Sequence, residues 1–170
     1  STGLVVGNNS GSNGLLSIVN GGTVSLAGNG LFIASNGGAN GTVTVQGAGS
    51  ELVTSGTAAI TAGYSGNGTL SVSAGSVVSD ANALLVGRNG GSNGVVSVSG
   101  GTLAVANFAV GLQSGNGTLT VANGGTVWLT SAIASTIGGA CGGNDTVTVI
   151  GAGSQLRGQD VVIGQANAAV

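Results

Sequence analysis

The chain has 170 residues, 37 of them Gly, with no Pro, Met or His, one Cys, and a net charge of −2 from 2 basic and 4 acidic residues. That balance leaves no basic footprint for nucleic acid or anionic lipid, and no apolar run approaches the roughly 20 residues that would span a bilayer. Collagen is excluded because the glycines follow no Gly-X-Y period, and a disordered linker because the apolar residues, 41% of the chain, alternate with polar ones.

From the N-terminus, three kinds of short segment follow one another and then repeat. The first ends in an apolar residue and a small one: Val6-Gly7, Ile33-Ala34, Ala62-Gly63, Val86-Gly87, Val110-Gly111, Ile137-Gly138 and Ile163-Gly164. The second opens on Asn and alternates: Asn13-Gly-Leu-Leu-Ser-Ile18, Asn40-Gly-Thr-Val-Thr-Val45, Asn67-Gly-Thr-Leu-Ser-Val72, Asn93-Gly-Val-Val-Ser-Val98, Asn116-Gly-Thr-Leu-Thr-Val121 and Asn144-Asp-Thr-Val-Thr-Val149. The third follows a Gly pair or a Gly-Ala-Gly and covers 23–26, 50–53, 76–79, 102–105, 126–129 and 154–157. Steps of 27, 27, 26, 23 and 28 residues separate the six asparagines. A period in this range marks a repeat architecture.

Within the second segment one phase is always aliphatic: Leu16 and Ile18, Val43 and Val45, Leu70 and Val72, Val96 and Val98, Leu119 and Val121, Val147 and Val149. The other phase is mostly Thr or Ser. Period 2 over short stretches predicts strands with one face buried, and no stretch has the helical period. A single turn of such strands cannot bury its own apolar face, whereas stacked turns can. The expected fold is therefore all-β. It is a right-handed, single-stranded parallel β-helix of about six rungs, each of roughly 23–29 residues and three short strands, forming one segment over residues 1–170. Its handedness comes from the crossover rule. The chain opens and closes in mid-repeat without a polar cap. The expectation is a piece of a longer repeat protein whose ends are covered by further sequence or stack on other copies.

Asn13, Asn40, Asn67, Asn93, Asn116 and Asn144 fall at one phase of the rung. Two readings fit. The amides stack as a ladder, or Asn serves only as a residue that tolerates a left-handed corner.

The phrases Gly63-Tyr-Ser-Gly-Asn-Gly-Thr-Leu-Ser-Val72, Val110-Gly-Leu-Gln-Ser-Gly-Asn-Gly-Thr-Leu-Thr-Val121 and Gly151-Ala-Gly-Ser154 resemble the repeats of autotransporter passenger domains. These are surface-exported β-helical regions of Gram-negative type V secreted proteins, many of them adhesin-like. The resemblance covers essentially the whole chain. It implies an extracellular or cell-surface stalk exported with a C-terminal outer-membrane barrel, a route that a nearly Cys-free chain suits.

Chemistry-bearing residues are sparse. A Ser-His-Asp arrangement is excluded without His. Glycoside hydrolysis needs two carboxyls flanking the scissile bond, and Glu51, Asp80, Asp145 and Asp160 fall in different rungs or segments. Gly142-Gly-Asn-Asp-Thr-Val147 echoes a calcium-solenoid nonapeptide, but it occurs once, whereas calcium needs six to eight oxygens; a corner variant is the simpler reading. The lone Cys141 excludes an internal disulfide and a Cys-based zinc site. No catalytic, cofactor or metal site is expected. Sequons stand at Asn8, Asn40, Asn67, Asn116 and Asn144, and most of them arise because the repeat itself reads Asn-Gly-Thr.

Two surfaces could make contacts. The outward phase of the second segment carries Thr42 and Thr44, Thr69 and Ser71, Thr118 and Thr120, Thr146 and Thr148, interrupted at Leu15 and Val95. The outward phase of the first segment carries an apolar stripe, Val5, Phe32, Leu85 and Val162, with Thr61, Ala109 and Thr136 in the same phase. That stripe meets a partner, or it lies under a loop or a neighbouring part of the parent protein. An outward Trp128 adds one aromatic surface for a sugar.

The leading expectation is a structural and adhesive extracellular stalk module without catalysis. Its partner is an unspecified host, matrix or self surface, reached laterally or end to end, with no nucleic acid and no membrane insertion by this segment. The alternative is a solenoid that binds ice or another flat lattice through its Thr-x-Thr ladder.

Overall fold

The computed structural model describes residues 3–139, 141 and 143–164. Nineteen strands form three parallel sheets, and the chain visits the sheets in turn. The first sheet stacks β1 (Leu4–Val6), β4 (Leu31–Ile33), β7 (Ile60–Ala62), β10 (Leu84–Val86), β13 (Phe108–Val110), β16 (Ser135–Ile137) and β19 (Val161–Ile163). The second stacks β2 (Asn13–Val19), β5 (Asn40–Gln46), β8 (Asn67–Ser73), β11 (Asn93–Ser99), β14 (Asn116–Ala122) and β17 (Asp145–Ile150). The third stacks β3 (Thr23–Leu26), β6 (Glu51–Thr54), β9 (Val77–Asp80), β12 (Thr102–Val105), β15 (Thr126–Leu129) and β18 (Gln155–Arg157). The molecule is a three-sided β-solenoid of about six turns. No helix occurs among the described residues, so none is long and apolar enough to cross a membrane.

Register follows from the aliphatic phase. Leu16, Val43, Leu70, Val96, Leu119 and Val147 pair as one column, and Ile18, Val45, Val72, Val98, Val121 and Val149 as the next. A slip of one residue would turn every member of a column to solvent. In the four middle rungs all these side chains are fully buried. Each Val or Leu taken out of water contributes about 1.5–3 kcal/mol, and a neighbouring rung is what removes it from water. At the outer rungs Leu16 is half-buried and Val149 is exposed.

The uneven rung length is absorbed between strands. Between β12 and β13 only Ala106 and Asn107 intervene, whereas residues 55–59 separate β6 from β7 and residues 130–134 separate β15 from β16. The strands on either side keep their pairing.

The glycine after each corner asparagine is fixed by contact with the neighbouring backbone. A Cβ on Gly68 or Gly94 would collide with the amide nitrogen of Gly63 or Gly87. The first corner needs a left-handed residue, and Gly fills it at every rung but one; there Ala34, fully buried, holds φ 59°.

Three strands of the third sheet begin one residue later than the sequence pattern predicts, at Glu51, Val77 and Gln155 rather than at Ser50, Ser76 and Ser154. The serines are corner staples. Ser50 Oγ donates to the Gln46 carbonyl at 2.7 Å and accepts from Gly21 N at 3.0 Å. Ser76 Oγ donates to the Val45 carbonyl at 2.7 Å, and Ser154 Oγ donates to Ile150 at 2.7 Å and accepts from Gly124 N at 3.1 Å. Each hydroxyl satisfies backbone groups that the turn removes from the sheet ladder.

Candidate functional site

The corner asparagines that open the second sheet form a hydrogen-bonded ladder. Nδ2 of Asn40 donates to Oδ1 of Asn13 at 3.1 Å, and Asn67 to Asn40 and Asn93 to Asn67 do so at 3.0 Å. Asn116 donates to Asn93 at 3.2 Å. The side-chain ladder stops at Asn144, whose backbone N–H, not its amide, donates to Asn116 Oδ1 at 3.0 Å. The break coincides with Asp145, which stands where the other rungs carry Gly. Its Oδ1 accepts from Gly117 N at 2.9 Å, while Oδ2 is buried without a partner. Desolvation raises the Asp145 carboxyl above its ordinary pKa, partly opposed by the Gly117 amide. Gly142, in the segment that echoes a calcium loop, lies outside the described residues. Among the described residues no group of three or more His, Cys, Asp or Glu could hold a metal ion.

Outside the ladder, the second sheet presents two in-register columns. One reads Leu15, Thr42, Thr69, Val95, Thr118, Thr146; the other reads Ser17, Thr44, Ser71, Ser97, Thr120, Thr148. The hydroxyl side chains from Thr42 to Thr120 are half-buried by their neighbours in the column, and Leu15 and Val95 are exposed.

Of the carboxylates, Asp80 is structural. It ends β9 in the interior column of Leu26, Thr54, Val105 and Leu129, where it is 4% exposed. Its Oδ2 accepts from Ile60 N at 2.9 Å and its Oδ1 from Asn82 N at 3.0 Å. It closes a corner. The phase it shares with Leu26 and Val105 was the clue to this inward position.

The first sheet differs from its sequence expectation. Val5, Phe32, Thr61, Leu85, Ala109, Thr136 and Val162 do form one column, but it is not an open apolar stripe. Val5, Phe32 and Leu85 are half-buried, Thr61 is 1% exposed with an unpartnered hydroxyl, and only Val162 is exposed. One side chain of the adjoining corner, Tyr64, lies against the strip. That corner runs Asn8, Ser35, Tyr64, Arg88, Leu112, one residue beyond each left-handed position. Tyr64 meets Phe32 edge to face, with ring centroids 5.6 Å apart and planes at 77°, a favoured aromatic geometry. The Arg88 guanidinium carbon sits 4.8 Å from the centre of the Tyr64 ring, within cation–π range, and its Nε is buried without a partner. Beside this stack an open cavity of about 550 Å³ is lined by Gly3, Val5, Asn8, Asn29, Phe32, Ser35 and Tyr64.

Trp128 is exposed on the outside of the third sheet, between Ala104 and Arg157 in register, and no second aromatic joins it.

Comparison with known proteins finds no family model, no curated protein and no solved structure that matches the chain.

Proposed function

We propose that the chain is a structural and adhesive stalk module of an extracellular or bacterial surface protein of the autotransporter passenger kind, without catalysis. The observation that carries this reading is the register. Rungs of unequal length pair residue for residue along all three sheets, which gives a solenoid with long, nearly uncharged lateral faces. Such faces suit contact with an extended partner. The carboxylates support the non-catalytic part: Asp80 and Asp145 hold backbone amides in separate corners, and Glu51, at the start of β6, pairs with Val77 rather than with Asp80.

Display of the chain on a bacterial surface behind an outer-membrane barrel tests this reading. The expected result is adhesion of the displaying cells to host-matrix or cell surfaces, above cells that display the barrel alone, with no turnover of polysaccharides. Cleavage of any polysaccharide, or adhesion no greater than the control, contradicts it.

A second reading is favoured by one observation, the paired Thr and Ser columns of the second sheet. A flat, regularly spaced hydroxyl array suits a flat lattice such as ice. The exposed Leu15 and Val95 interrupt it, so adhesion is preferred. Thermal hysteresis in a micromolar solution, lost on replacing Thr69 and Thr118 with Lys, would reverse that preference.

A further inference from the structure

We infer that the cavity beside the Phe32–Tyr64–Arg88 stack is a binding site for a neutral saccharide. This rests on reading the chain as an interaction module and names the ligand class for one of its faces. The walls combine two kinds of group. Phe32 and Tyr64 give an apolar aromatic surface, locked edge to face by their own contact. Asn8, Asn29 and Ser35 supply amides and a hydroxyl that both donate and accept. Asn8 lines the cavity, and its backbone carbonyl accepts from Asn36 Nδ2 of the adjoining corner at 2.6 Å. A pyranose ring has the complementary make-up: a face of C–H groups for an aromatic surface, and a rim of hydroxyls for amides.

The charge of the ligand follows from the lining, which among the described residues contains no Asp, Glu, Lys or Arg. Arg88, the cation of the cluster, is not among the described lining residues and sits over the Tyr64 ring. Its role here is to hold that ring in position. The volume, about 550 Å³, lies in the range of small-molecule sites. The open form suits one or two units of a longer chain lying along the solenoid. Three consecutive rungs contribute, through Asn8, then Asn29, Phe32 and Ser35, then Tyr64, so the site exists only when the rungs are stacked.

The test is titration of the whole chain with short neutral oligosaccharides of glucose, mannose, galactose and N-acetylglucosamine, and with uronic-acid oligomers as the charged comparison. Binding is followed by calorimetry and by saturation-transfer NMR. The expected result is binding to at least one neutral series. Replacing both Asn8→Ala and Asn29→Ala, two exposed positions, should weaken it about ten-fold with an unchanged melting temperature. Phe32→Ala should weaken it by a similar factor, and Trp128→Ala, on another sheet, should leave it intact. Failure of the folded protein to bind any neutral series overturns the inference. So does binding of uronic-acid oligomers alone, full affinity in the Asn8→Ala/Asn29→Ala protein, or loss of binding in Trp128→Ala. Surface adhesion without saccharide binding would sink this site and leave the stalk reading standing; saccharide binding without adhesion would do the reverse.

Discussion

At the scale of single residues, the repeat is held by positions that admit little else. Gly68 lies against the Gly63 amide and has no room for a Cβ, whereas a Cβ on Gly37 would meet nothing within 4 Å. Gly68→Ala should therefore cost about 3 kcal/mol, and Gly37→Ala little, as read by denaturant midpoints. Equal midpoints would mean that the corner is looser than described. The ladder predicts a smaller effect. Asn67 donates to Asn40 and accepts from Asn93 at an exposed edge, so Asn67→Ala should cost about 1 kcal/mol. None of the ladder asparagines holds a positive φ, so the expectation of a left-handed Asn corner is corrected, and no loss in the melting temperature would show that the ladder bonds add nothing to stability. Asp145 gives a pH dependence of defined sign. Burial raises its carboxyl above the ordinary carboxylate pKa, so the folded state favours its neutral form. Stability from this group is greatest below the unfolded pKa and is lost as pH rises through the folded one. Asp145→Asn should remove that decline and melt higher near neutral pH. A variant whose melting temperature keeps the wild-type pH slope between about pH 3 and pH 7 would contradict this.

At the scale of elements, strands of three to seven residues are stable because all but the end strands of each sheet lie between two others. Val96 sits in the middle of β11 with Leu70 and Leu119 paired on either side and is fully buried. Val96→Asp should cost several kcal/mol, because it buries a carboxylate without a partner. Thr118→Ser on the outer face of β14 should stay within about 0.5 kcal/mol. Thermal melts that ranked the two variants equally would imply that the inner and outer faces are exchanged. The second sheet was the most legible element in the sequence, because Asn-Gly and two aliphatic residues recur at a fixed offset from each other. The third sheet was read one residue early at Ser50, Ser76 and Ser154, since a corner serine that bonds the backbone looks like the first residue of a strand. Asp80 was missed for a related reason. Its phase matches that of Leu26 and Val105, but the amide partners that make a carboxylate tolerable there, Ile60 and Asn82, are brought to it only by the fold. The Phe32–Tyr64–Arg88 stack lay deeper. Its members come from three rungs joined by corners of different length, and the shared position appears only when the residue after each left-handed corner is aligned: Asn8, Ser35, Tyr64, Arg88.

At the scale of the whole molecule, function follows from stacking. The cavity beside Phe32 and Tyr64, the hydroxyl columns and the asparagine ladder are each built from residues about one rung apart in sequence, and none exists in an isolated rung. The central claim is thus the parallel, in-register stack itself, and one distance tests it most directly. With Cys141 replaced by Ser, spin labels at Thr42 and Thr146 stand in one outward column, separated by the steps through Thr69, Val95 and Thr118. At about 4.8 Å per step, pulsed electron paramagnetic resonance should give a single narrow distance near about 19 Å between the backbone positions, with the label linkers adding modest width. A broad distribution, or a distance well beyond about 30 Å, would show that the rungs do not stack as described.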